Sequence, residues 1–176
     1  MATPSERQSW SCVQSDTDIA EVAALAHEIW NEHFPPIIGR AQVDFMLCKF
    51  QSEEAIARQI RDEAYEYYVV GEPGARGGYF AIKPYPRERS MQLSKLYLRH
   101  GTRGRGLGSR IIRWLESECR DRNLVKLWLT VNKDNATSIA FYQRTGFETE
   151  SAIVTGIGDG FVMDDFLMSK RVHPLR

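Results

Sequence analysis

Apolar residues recur along the first part of the chain at steps of three and four. Ile19, Val22, Ala26, Ile29, Trp30 and His33 mark one face of a helix that Asp16 and Thr17 are placed to cap. Pro35-Pro36 predicts its end, because proline disfavours helical geometry in the residue before it. After a loop over 35–39, residues 41–50 read as a short helix, and Ser52 caps another over 53–62 with Ile56 and Ile60 inward.

Elsewhere the period shortens to two. Residues 10–14 read as a first strand, 65–70 as an aromatic and β-branched second, and 79–83 as a third after a glycine-rich turn. Residues 91–98 form the next, with Leu96 and Leu98 on one face and Tyr97 on the other. A helix to about Arg122 turns Leu107, Ile111, Trp114, Leu115 and Cys119 inward, and 124–131 has the apolar character of a buried strand. Asn135 opens a helix to Arg144, Gly146 closes it, and two strands meet at Gly158-Asp159-Gly160. Trp30, Trp114 and Trp128 read as core. Strands interleaved with helices predict an α/β (α+β) sheet covered by helices, in one domain over 10–172 behind a loose tail at 1–9.

Composition narrows the function without choosing it. The 176 residues carry 23 basic and 23 acidic side chains, so net charge gives no support to nucleic-acid or membrane partners. Cys12, Cys48 and Cys119 are odd in number and widely spaced, which argues against a disulfide framework or a cysteine-based metal site and fits a reducing cytoplasm. The polar residues 1–9 lack the apolar stretch of a signal peptide, and no apolar run approaches the roughly 18 residues of a membrane span.

The charge balance conceals one asymmetry. Residues 99–113 hold five arginines, four glycines and no acid, between a strand and an amphipathic helix. Glycines let backbone N–H groups converge, a helix N-terminus adds partial positive charge, and arginines supply further donors, so the segment suits a di- or polyphosphate. Gly104, Gly106 and Gly108 give Gly-x-Gly-x-Gly rather than the dinucleotide fingerprint, and no Lys-Ser/Thr follows as in a Walker loop. A structural glycine turn and an RNA-binding Arg/Gly tract are the other readings, the latter opposed by zero net charge.

Arg103-x-x-Gly106-x-Gly108, after Leu96-Tyr97-Leu98 and before a helix, resembles the acetyl-CoA-binding motif of the GNAT (Gcn5-related N-acetyltransferase) superfamily. Asn135-Ala136 and Phe141-Tyr142-x-x-x-Gly146-Phe147 are similar to its downstream block, and the seven-residue step from Asn135 to Tyr142 is two helical turns. The resemblance implies a mixed, largely antiparallel sheet that splays at the strand before the phosphate loop. It implies that Arg103, Gly104, Arg105, Gly106, Gly108 and Ser109 bind the CoA pyrophosphate, that Leu96 and Leu98 offer main-chain groups to the pantetheine, and that Asn135 hydrogen-bonds it. Tyr142 would protonate the departing thiolate. Within the superfamily the chain looks most like bacterial small-molecule acetyltransferases, some acting on polyamines. An acetyl-CoA co-substrate, no metal, a small amine acceptor and a homodimer are the corresponding expectations. A protein amine acceptor and a non-catalytic acyl-CoA-binding regulatory module are the alternatives.

One family feature is missing. Many members carry a glutamate on the strand before the phosphate loop, and residues 91–98 offer no carboxylate. Candidate bases are Glu28, Glu32 and His33 on the first helix, Asp44 on the next, and Asp164-Asp165 on the last strand, of which adjacent pair at most one faces the groove. Glu32, His33 and Asp164 are the substrate-binding expectations; His33, on the apolar stripe, also reads as a core histidine.

Overall fold

The computed structural model describes residues 9–173, so the tail expected at 1–9 lies outside it except for Ser9. The elements run β1 (Trp10–Cys12), α1 (Asp16–His33), α2 (Pro35–Ile38), α3 (Arg40–Gln51), α4 (Glu53–Asp62), β2 (Glu66–Val70), β3 (Gly78–Tyr85) and β4 (Ser90–Leu98). A 3-10 turn at His100–Thr102 leads to α5 (Leu107–Asp121), β5 (Lys126–Asn132), α6 (Ala136–Arg144), β6 (Glu148–Gly158) and β7 (Phe161–Arg171).

Local chemistry explains the departures from expectation. Ser15, not Asp16 or Thr17, caps α1: its hydroxyl accepts from the Asp18 N–H while the Asp18 carboxylate accepts from the Ser15 N–H. That reciprocal pairing satisfies two N–H groups at once. Pro35-Pro36 ends α1 as expected but also begins α2, since the first helical turn needs no N–H from its opening residue. Strand β3 runs two residues past Lys83 because β4 continues to pair with it through Tyr85 and Ser90.

All seven strands form one sheet, in the order β1-β2-β3-β4-β5-β7-β6. Every pairing is antiparallel except β4 with β5, which α5 connects as a crossover. Helices α1, α3 and α4 bury Val22, Leu25, Ile29, Val43 and Ile56 with Tyr67, Val69, Tyr79 and Ala81 on one face. On the other, Ile111, Ile112, Leu115 and Cys119 of α5 are sealed against Phe80, Ile82, Met91, Leu127 and Leu129. Each such aliphatic side chain contributes roughly 1.5–3 kcal/mol by leaving water. Trp30 belongs to the first layer, while Trp114 and Trp128 are half-buried.

Candidate active site

The sheet opens in its middle. Strands β4 and β5 are paired only at Ser90–Lys126, Met91–Leu127 and Gln92–Trp128, and both continue past that point without each other. The Arg99 N–H donates to the Gly77 carbonyl across β3 at 2.8 Å. Because successive peptide groups alternate in direction, the Leu96 and Leu98 peptides then face the opening. Arg103 crosses there, its Nε donating to the Leu98 carbonyl at 2.8 Å.

At the mouth of the opening the chain turns through Gly104 and Gly106, both at φ 74°, and enters α5. A Cβ at either would meet nothing within 4 Å, so it is the left-handed backbone that calls for glycine here. Gly106 brings no capping side chain, and the first intrahelical bond runs from the Arg110 N–H to the Gly106 carbonyl at 3.0 Å. The N–H groups of Leu107, Gly108 and Ser109 are therefore left for an external acceptor, at the positive end of a 15-residue helix. Gly108 is different: a Cβ there would come within 2.9 Å of the Phe141 ring, so its bareness seats α5 against α6. Among the described residues no ion pair engages Arg105 or Arg110, whereas Arg99 is held by Glu28 at 2.6 Å. The donor set fits a phosphate-bearing ligand such as CoA.

The opening leads into a cavity of about 460 Å³ whose walls include His33, Lys95, Tyr97, Arg103, Asn135, Tyr142 and Asp165. Asn135 caps α6, its side-chain oxygen accepting from the Ser138 N–H at 3.3 Å. Tyr142, two turns on, is buried and packs edge-on against Phe147, while Phe141 is only half-buried. Burial pushes the Tyr142 phenol upward, so it keeps its proton. Burial also raises the Asp165 carboxyl, and the Asp164 charge adds to it, while a hydrogen bond from Thr130 and the Lys133 charge work in the other direction. Burial, then the Arg103 charge, lowers the His33 imidazole, against which a hydrogen bond to Asn135 works in the other direction.

Residues 23–147 match the acetyltransferase (GNAT) family model. The chain belongs to the GNAT family. It is an acetyl-CoA-dependent acyltransferase, with acetyl-CoA as its co-substrate. An uncharacterized N-acetyltransferase of Mycobacterium tuberculosis is 27% identical over 132 residues, spanning 75% of this chain and 84% of that protein. The fold is that of the PaiA N-acetyltransferase of Thermoplasma acidophilum, solved in complex with coenzyme A, at a TM-score of 0.74, 19% identity and coverage of 93% and 99% of the two chains. A spermidine N-acetyltransferase from Vibrio cholerae aligns at a TM-score of 0.63 and 19% identity over 92% of each chain.

On this GNAT framework the candidate acids separate. Glu32 is exposed and outside the cavity wall, one step round α1 from His33, which lines it. Asp164 is also outside, paired with Lys133, while Asp165 on the opposite face of β7 lines the cavity. Glu28 is bound to Arg99, and Asp44 to Arg40 at 3.2 Å on the exposed side of α3. Two wall residues, Lys95 and Tyr97, have no place in the sequence reading as functional groups. Their signal is positional: on a buried strand they alternate with Leu96 and Leu98, so a lysine there must point into a layer of the protein rather than into solvent.

No helix among the described residues is long and apolar enough to cross a membrane. No group of three or more His, Cys, Asp or Glu among them could hold a metal ion.

Proposed function

We propose that this GNAT protein transfers an acetyl group to the primary amine of a small molecule by direct attack, with Asp165 receiving the amine proton and Tyr142 protonating the departing thiolate. The observation that carries this reading is that a buried, protonated phenol and a buried carboxyl face one cavity at the gap in the sheet. Acetyl-CoA, when bound, supplies an activated acetyl thioester.

In this reading Arg103, Gly104, Arg105, Gly106, Gly108 and Ser109 hold the pyrophosphate, chiefly by N–H groups at the start of α5. The Leu96 and Leu98 peptides bind the extended arm along the open edge of β4. Asn135, whose side-chain oxygen is occupied as the cap of α6, offers its amide nitrogen to the arm. An N–H near Leu98 stabilises the negative charge that develops on the carbonyl oxygen. The acceptor ammonium first releases one proton to water; as the neutral amine then forms the C–N bond and the C–S bond breaks, Asp165 takes one proton and Tyr142 gives one, so charge balances without a change of oxidation state. A volume of about 460 Å³ lies in the range of small-ligand sites and favours a small acceptor. The V. cholerae neighbour's acceptor, spermidine, is of that class.

A melting curve with acetyl-CoA, against ATP and NADH as controls, tests the donor site. Acetyl-CoA at 100 times its Kd adds about 2.7 kcal/mol, roughly 5–10 °C at this chain length. No shift at saturation removes the pyrophosphate assignment.

A further inference from the structure

Within the cavity wall, Lys95 is unlike its neighbours. It is 7% exposed, and among the described residues it forms no ion pair. Its ammonium donates to the Gln59 Oε1 at 2.9 Å, approaches the Ser94 hydroxyl at 3.4 Å, and lies over the faces of Tyr65 and Tyr67 at 4.9 and 5.2 Å. Gln59 is itself fixed, accepting from the Tyr67 hydroxyl at 2.6 Å and donating to the Phe50 carbonyl at 3.0 Å. The frame holds the cation in place and leaves one of its three hydrogens unassigned. An apolar side chain of similar length would fill this space without desolvating a charge.

We propose that Lys95, framed by Gln59, Tyr65 and Tyr67, receives a carboxylate of the acceptor, so that the substrate is a zwitterionic amino acid-like amine. This rests on the acetyltransferase reading above and specifies its substrate class. The charge count selects the ligand. Glu63 attracts the Lys95 ammonium from a distance but is itself paired with Arg58 at 3.3 Å, so it is no direct counter-ion. With no carboxylate among the described residues in direct contact, Lys95 has room for the single negative charge of a carboxylate. A second ammonium, as in a polyamine, would meet a like charge, with Lys83 adding a further one over the Tyr65 ring. Lys95 and Tyr97 share a face of β4 roughly 7 Å apart along the strand, so a carboxylate at Lys95 leaves the amine within reach of the Tyr97–Asp165 region. Burial drives the Lys95 ammonium down to about 7, a shift that a bound carboxylate would reverse.

The test is melting of the full chain, with and without acetyl-CoA, in the presence of the proteinogenic α-amino acids, β-alanine and γ-aminobutyrate, each beside its amide. At least one acid should raise Tm above its amide, and Lys95→Met should weaken that acid about tenfold or more while leaving the amide unchanged. Equal shifts by acid and amide, no shift by any acid, or a preference that survives Lys95→Met would each overturn the proposal. The wild-type comparison needs no variant to fold. Because no turnover is read, failure of the acetyl-transfer reading shows separately, as loss of the acetyl-CoA shift or of thiol release with any amine.

Discussion

In the proposed mechanism Tyr142 and Asp165 divide proton transfer between two groups that burial treats alike: each is held nearer its neutral form. For the phenol this is the useful state, a donor that does not ionise near neutral pH. Tyr142→Phe keeps the ring packing against Phe147 and removes only the hydroxyl, so kcat should fall about 100-fold with the KM for acetyl-CoA changed little. Thiol release at neutral pH checks this, and unchanged turnover would dismiss Tyr142 as the acid. For the carboxyl, neutrality is the idle state. Acid-side loss of kcat/KM should therefore set in at a higher pH than for an ordinary carboxylate, and Asp165→Asn should remove that limb along with most of the rate. The Asn135–Tyr142 spacing was legible because a helix fixes which residues share a face. Asp164 and Asp165 were not distinguishable in the same way. Both parities of β7 carry apolar residues, Phe161 and Met163 on one and Phe166 and Met168 on the other, and only the packed helices decide which of them borders the cavity.

At the scale of elements, the turn into α5 separates two uses of glycine that look identical in sequence. Gly106→Ala puts a side chain into open space at φ 74°, so its cost is backbone strain of about 1 kcal/mol. Its main effect should be weaker acetyl-CoA binding, through misdirected N–H groups, with kcat nearly kept. Gly108→Ala meets the Phe141 ring instead and pushes α6 at the residue before Tyr142. There kcat should fall more than acetyl-CoA affinity does. Steady-state kinetics of the two variants separates the effects, and identical profiles would show that neither assignment holds. The turn's existence and its donor character followed from composition, whereas its division into a strained half and a packed half depends on where α6 sits. The capping box of α1 was locally encoded in Ser15 and Asp18, yet the neighbouring Asp16 and Thr17 offer the same chemistry, which is why the helix start could be misplaced by a residue.

Across the whole molecule, a lysine and an aspartate are kept buried at the cavity, and their burdens on stability fall in opposite pH windows. Lys95 binds its proton with a pKa of about 7 when folded and 10.5 when unfolded. Above 10.5 both states are neutral and nothing is lost. As pH falls from 10.5 to 7 the unfolded chain takes up the proton first, and stability drops by up to about 5 kcal/mol, then stays level below 7. Lys95→Met should thus raise Tm by several degrees at pH 7, with the gain fading as pH approaches 10.5. Asp165 runs the other way: its raised folded pKa makes the ionised form costly above that value, and the cost disappears as pH falls to the ordinary carboxylate range. Asp165→Asn should therefore raise Tm at neutral pH and lose its advantage in acid. Melting the wild type and both variants from acid to alkaline pH checks the pair, and parallel curves throughout would mean that neither group is held away from its ordinary protonation. Both substitutions should cost function while they add stability, as expected of charged groups kept dry for a ligand and not for the fold.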